Sequence, residues 1–144
     1  MLKESELQIA CVREFKKFYP QFENVLIKVT NEGKRSVIWV KDRQTGALKQ
    51  VCVGGARAKA EGMVKGVADL LLLVPRHGYG CLAIEMKRET YSVGKNGKLK
   101  VERSYQEPEQ KAWQKCCEEA GNKYVVCRSV AEFMLAVNNY LRKQ

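Results

Sequence analysis

The sequence predicts an α/β fold: a mixed β-sheet flanked by helices, with one further helix closing the chain. Three observations carry that prediction. Two apolar runs of strand length, 66–74 and 81–87, are separated by a turn-rich stretch, Pro75-Arg76-His77-Gly78-Tyr79, so they read as an antiparallel hairpin across a five-residue loop. The run 70–74 shows no polar alternation, which marks a strand covered on both faces. Amphipathic helical patterns stand near both ends of the chain.

The elements follow in order. Residues 4–18 place Leu7, Cys11, Phe15 and Phe18 at helical spacing, with Lys3, Arg13, Lys16 and Lys17 outside, and Tyr19-Pro20 ends that helix. Residues 24–29 are predicted as the first strand and 30–33 as a turn. The stretch 34–66 reads in two ways. It is either a hairpin, 36–41 against 47–53 across 42–46, followed by a helical turn over 56–61, or a solvated surface loop. Arg57, Lys59 and Lys65 make it basic. After the central hairpin, Asn96-Gly97 is the strongest two-residue hairpin signal and predicts a protruding basic ribbon over 91–104 that carries Lys95 and Lys98. Pro108 suits the first turn of a helix that runs through Ala120 and stops at Gly121, burying Trp113, Cys116 or Cys117, and Ala120. Residues 123–128 form the last strand. Ser129 and Glu132 make a capping box that opens a C-terminal helix with Val130, Met134, Val137 and Leu141 toward the core.

Length and composition bound the rest. The 144 residues suit one domain spanning 1–144, with a 45% apolar share sufficient for a core. Lysine and arginine outnumber acids 26 to 16, a net charge of +10 that favours a polyanionic partner, nucleic acid ahead of a membrane surface. Six cysteines (Cys11, Cys52, Cys81, Cys116, Cys117, Cys127) include no Cys-x-x-Cys, and the single histidine argues against a zinc site. No signal peptide opens the chain, and no apolar run approaches the roughly 18 residues of a membrane span. A reducing cytoplasm is the expected setting.

The chemistry lies in the central hairpin. If it is centred on His77, Asp69 faces Glu85, and directly opposed residues bring their Cβ atoms to about 4.5–5.5 Å. Glu85 and Lys87 share one face while Met86 points away. Opposed like charges destabilise a sheet, and a divalent cation held by hard carboxylate oxygens, Mg²⁺ or Mn²⁺, compensates best. Two strand-borne acids and a lysine are what a metal-dependent phosphodiesterase requires, whereas a lone Glu-x-Lys on an edge strand is usually a polar face. Ser104 and Ser129 have no base partner, and His77 sits on the hairpin tip, so no covalent nucleophile is expected.

These residues also resemble a known family. Gly66-Val67-Ala68-Asp69, Ile84-Glu85-Met86-Lys87 and Pro108-Glu109-Gln110-Lys111-Ala112-Trp113 are similar to the motifs of the virus-type replication–repair nuclease (VRR-NUC) domain. That domain is a branch of the PD-(D/E)xK nuclease superfamily common in phages. Glu4-Ser5-Glu6-Leu7-Gln8 resembles its first helix, Asn31-Glu32-Gly33-Lys34-Arg35 its post-strand turn, and Gly121 its glycine before the last strand. Ala68 stands where the family often has proline, and the stretch 88–107 is longer than usual.

The resemblance implies a restriction-endonuclease-like core in αβββαβ order with an added C-terminal helix. It implies hydrolysis of DNA phosphodiesters by a homodimer acting on branched or structured DNA in a bacterial or phage-infected cell. Asp69, Glu85 and the Met86 backbone carbonyl would hold Mg²⁺ or Mn²⁺, and Glu4, or Glu6 in its place, would approach from the first helix. Lys87 would act on the attacking water and the phosphate, supported by Gln110, or by Gln106 as its rival. Arg57, Lys59, Lys65, Arg88, Lys95 and Lys98 would contact nucleic-acid phosphates. The alternative is a catalytically silent nucleic-acid-binding module within a replication or packaging assembly.

Overall fold

The structure, a computed structural model, describes residues 3–30, 36–53 and 55–143. The turn expected over 31–35 lies outside them. In chain order the elements are α1 (Glu4–Phe18), a 3-10 turn (Pro20–Val25), β1 (Leu26–Lys28), β2 (Ser36–Lys41), β3 (Leu48–Val53), α2 (Gly55–Ala60), β4 (Leu70–Leu72), β5 (Leu82–Met86), β6 (Glu89–Val93), β7 (Leu99–Arg103), α3 (Pro108–Glu119), β8 (Lys123–Cys127) and α4 (Val130–Leu141). They form two compact units, Met1–Val29 with Gly66–Gln144, and Thr30–Lys65.

The larger unit is built on a four-stranded sheet of order β1-β4-β5-β8, in which β8 joins β5 in parallel and the other pairs are antiparallel. Without the excursions β2–α2 and β6–β7, its order is the expected αβββαβ with α4 added. Alternation divides the sheet between two cores. Leu70, Leu72, Leu82, Ile84 and Met86 pack with Leu7, Cys11 and Phe15 of α1 and Phe133, Val137 and Tyr140 of α4. On the other face Ala83 and the half-buried Leu71 pack with Cys117 and Trp113 of α3 and with Tyr124. The central strand is thus covered on both sides.

The central hairpin pairs Leu70 with Ile84 and Leu72 with Leu82, the register centred on His77. Its loop is tighter than five open residues. Arg76 bridges Tyr79, and His77 and Gly78 both take positive φ, +53° and +83°, as a type I′ turn requires.

Several local expectations shift. The first strand shortens to Leu26–Lys28, because Pro20 opens a 3-10 turn over Pro20–Val25. Phe18 is exposed; the next turn of the α1 stripe is taken by Tyr19, whose ring packs on Phe15. Ala120 is exposed as the C-cap of α3, and Cys117 rather than Cys116 is buried. The core face of α4 centres on Phe133, Val137, Tyr140 and Leu141, leaving Val130 and Met134 half-buried. A helix packed on both α1 and the sheet buries a stripe too wide for one four-residue series, and the large Phe133 ring takes its centre. In the ribbon, Gly97 N–H bonds to Gly94 O and Gly94 N–H to Lys98 O, so the connection is a three-residue loop with Gly97 at φ +73° rather than a two-residue Asn-Gly turn.

Burial pushes the Cys11 and Cys117 thiols up to about 11 and Cys127 up to about 12, as for small core residues without reactive thiolate. The Tyr140 hydroxyl donates to Val74 O at 2.6 Å in the core. Tyr140→Phe is expected to cost about 1–2 kcal/mol, because it leaves that carbonyl unsatisfied. Urea denaturation measures this, and an unchanged midpoint would show that the bond contributes nothing net.

The smaller unit is the β2–β3 hairpin, pairing Ser36 with Val53 through Lys41 with Leu48, together with α2. Asp42 Oδ1 accepts from Gln44 N–H at 2.8 Å, and Gly46 closes the turn at φ +73°. The hairpin alternative for this stretch is therefore the one adopted.

Candidate active site

The site forms where β4 begins and β5 ends. Asp69 does not face Glu85 within the ladder, which stops at the Leu70–Ile84 pair. The chain bends at Asp69, and its Oδ2 accepts from Met86 N–H at 2.7 Å. That bond answers a buried amide with a charged acceptor. A strand residue's N–H and C=O lie on one edge, so the Met86 carbonyl opens toward the same side as Asp69.

Glu85 is only 1% exposed and Lys87 6%. Glu85 Oε1 lies 3.3 Å from Lys87 Nζ and accepts from Gln110 Nε2 at 2.7 Å, while Oε2 is buried with no hydrogen-bond partner. Gln110 is held for this contact. Pro108 fixes the first turn of α3, and the Gln110 carbonyl oxygen accepts from Glu107 N–H at 2.8 Å, which turns the amide nitrogen toward Glu85. Gln106 instead donates to Gln114 and to the Tyr124 hydroxyl, each at 3.0 Å, so Gln110 alone of the two reaches Glu85.

Gly66, which opens the Gly66–Asp69 motif, lets the approach to Asp69 lie against this turn. It sits at φ +80°, and a Cβ there would stand 2.8 Å from Gln110 N and closer still to the Glu109 carbonyl. Only its positive-φ tolerance hints at this from sequence; the close approach belongs to tertiary packing.

Glu4, in the first turn of α1, is half-buried, while Glu6 is exposed and accepts from Lys3 N–H at 2.7 Å as part of its own helix start. Glu4 is thus the one that senses the site. Burial raises its carboxyl above the ordinary value, Lys87 opposes that, and Asp69 adds to it. Burial likewise raises Asp69 against the Met86 amide, Lys87 and Lys28. Glu85 is pushed up to about 7, first by burial and then by Asp69, with Lys87 pulling the other way. Lys28 is a further charge here that the sequence reading missed. Its strand partner is Leu70, next to Asp69.

Two carboxylates share a desolvated corner with a lone unbonded oxygen, Glu85 Oε2, and a main-chain carbonyl on the same edge. This oxygen donor set fits a hard divalent cation of the Mg²⁺ or Mn²⁺ type. Among the described residues, no three His, Cys, Asp or Glu side chains cluster as a chelating group. Any ion here would rest on Asp69, Glu85 and the Met86 carbonyl.

The expected phosphate contacts divide between the two units. Arg88 follows Lys87 and is exposed, and Lys95 and Lys98 are exposed at the ribbon tip. In the smaller unit Lys59 and Lys65 are exposed, and Arg57 is paired with Glu61 at 2.9 Å. Among the described residues, no helix is long and apolar enough to cross a membrane.

A mixed sheet between helices, with acids and a lysine at the ends of two central strands, defines a nuclease-type α/β domain. The VRR-NUC domain family matches residues 2–131, and the chain belongs to that family of nucleases. A solved structure described as a VRR_NUC domain protein is similar in fold, with a TM-score of 0.67 at 19% identity over 97% of this chain and 88% of that one. No curated protein matches the sequence.

Proposed function

We propose that this chain is a metal-dependent nuclease that hydrolyses DNA phosphodiester bonds, with Asp69, Glu85 and the Met86 carbonyl as metal ligands. The observation that carries this reading is Glu85, a buried carboxylate with one free oxygen, gathered with Asp69, Lys87 and Gln110 at one sheet end. Bound Mg²⁺ or Mn²⁺ supplies Lewis-acid polarisation of the phosphate and acidifies a water.

The chain's own groups do the rest. Lys87 Nζ is a compact positive charge that faces the scissile phosphate and steadies the negative charge developing on it. Gln110 holds Glu85 Oε1 and so leaves Oε2 directed to its ligand role. The Met86 amide fixes Asp69 in the same way through Oδ2. Glu4 adds negative charge at the margin of the site. Residues 1–144 act as one nuclease domain. Arg88, Lys95 and Lys98, with Arg57, Lys59 and Lys65, supply phosphate contacts. Nothing among them reads base edges, which favours recognition of branched or structured DNA over sequence. A homodimer is the assembly that accompanies this reading.

The test is incubation with linear, nicked, Y-shaped and four-way-junction DNA in Mg²⁺, Mn²⁺ or EDTA. Cutting is expected with either metal and not in EDTA, and Lys87→Ala is expected to cut about 100-fold more slowly while still binding DNA. Binding without cutting in every metal would point instead to the silent binding module. Cutting by Lys87→Ala at the parental rate would sink the role given to that lysine.

A further inference from the structure

A groove of about 540 Å³ lies between α1 and the edge strand β1. Its floor is apolar: Ile9 and Val12 of α1, Leu26 of β1 and Leu70 of β4, with Ile9 59% exposed. Its rim is basic. Arg13, Lys16 and Lys28 line it against a single acid, Glu23, and among the described residues these three cations form no ion pair. All three are exposed.

One end of the groove meets the site. Ser5 follows Glu4 on α1, Lys28 pairs with Leu70 beside Asp69, and Val29 N–H bonds to Asp69 O at 3.0 Å. From Ser5 to Lys16 the helix runs about 17 Å at 1.5 Å per residue. The groove is therefore a track of unpaired positive charge over an apolar floor, one end of which adjoins Asp69.

The partner follows from that chemistry. A duplex turns its phosphates outward and hides its base faces, so it has nothing to lay on an apolar floor. A single strand presents both, phosphates for the cations and base faces for the aliphatic side chains. Gln8 and Ser5 also line the groove and can hydrogen-bond a base, while the three cations hold a strand by its phosphates whatever its sequence.

Resting on the nuclease reading above, we propose that this groove carries a single-stranded arm of the substrate into the site, with Arg13, Lys16 and Lys28 on its phosphates. The preferred DNA is then one whose duplex is joined to an unpaired strand, and the arm's affinity is set separately from that of the ribbon.

The test is fluorescence anisotropy in EDTA, where cleavage does not enter. It uses a duplex with a ten-nucleotide single-stranded arm (a length of about ten being ample for the track), and the same duplex without the arm. The unchanged protein is expected to bind the armed DNA more tightly. In Arg13→Gln/Lys16→Gln/Lys28→Gln that preference is lost. The slope of log affinity against log salt flattens by about 2, three contacts at about 0.7 each for a single strand. Between about 50 and about 200 mM salt the parental protein therefore loses roughly twenty-fold more affinity than the variant. The charge-keeping variant Arg13→Lys/Lys16→Arg/Lys28→Arg is expected to retain the parental slope, which ties the effect to charge and not to folding.

A glutamine variant with the parental slope, or a parental protein indifferent to the arm, overturns the proposal and leaves the nuclease reading standing. Displacement of the arm by polyglutamate at charge-equivalent concentration, with no preference for DNA, overturns it in favour of an acidic protein partner. Loss of metal-dependent cutting with arm binding intact would instead sink the nuclease reading alone.

Discussion

Glu85→Gln is expected to cut DNA about 10³-fold more slowly or worse, and at the same time to make the metal-free protein more stable above neutral pH. Both effects come from one buried carboxyl. The amide oxygen still accepts from Gln110, but an NH2 group replaces Oε2 and cannot ligate a cation, and on the proposed metal-ligand role this loss removes several kcal/mol of transition-state stabilisation. The stability effect follows from the raised carboxyl. Its value is about 7 in the folded chain against an ordinary 4.5, because burial and Asp69 outweigh Lys87. Between those two values the folded state binds a proton that the unfolded state has released, so stability falls as pH rises from about 4.5 to about 7. Below that window both states hold the proton and the penalty is absent. Above it the penalty is complete, about 3 kcal/mol at 1.36 kcal/mol per unit.

Glutamine never ionises, so the variant matches its parent near pH 4.5 and exceeds it by up to about 3 kcal/mol at pH 8 in EDTA. Urea denaturation at both pH values measures this. Equal stability at pH 8 would show that Glu85 is solvated or fully compensated by Lys87. Mg²⁺ or Mn²⁺ is expected to raise the melting temperature of the parent and not of the variant, since a ligand that binds only the folded state stabilises it.

Gly66→Ala is expected to cost about 3 kcal/mol of stability and to slow cutting tenfold or more per folded molecule. Positive φ at +80° costs an alanine about 1–2 kcal/mol. The new methyl would also press on the backbone of Glu109 and Gln110, a steric conflict of a further 1–3 kcal/mol or so. Relief comes only by moving the first turn of α3, and that takes Gln110 off Glu85. Supporting contacts of this kind are worth about 10–100-fold when lost. Gln110→Ala separates the two consequences: it should reproduce the slower cutting with little change in the denaturation midpoint. A Gly66→Ala protein as stable as its parent would show that the loop yields without disturbing α3. Parental cutting at full folding would remove Gln110 from the positioning role.

Much of this was legible in the chain. Local rules reached the helix Glu4–Phe18 and the strand register centred on His77, because both depend on periodicity and turn chemistry within a few residues. They located the ribbon through Asn96-Gly97 but mistook its turn, since the same dipeptide serves a three-residue loop with glycine at the left-handed position. They chose Val130 and Met134 for the core of α4 where Phe133 lies deepest, because a helix packed on two neighbours at once does not obey a single narrow stripe.

At the site, the sequence by itself determined which acids and which lysine stand at the ends of the apolar strands, and that the helix opened by Pro108 brings a glutamine. Only the tertiary structure decided how they meet. It bent Asp69 onto the Met86 amide instead of leaving it opposite Glu85, selected Gln110 over Gln106 and Glu4 over Glu6, seated Gly66 against α3, and set Arg13, Lys16 and Lys28 around one groove. The reason is distance along the chain. Residue type and spacing report what a segment can do, whereas charge repulsion, desolvation and close packing act between segments and appear only once those segments are in contact.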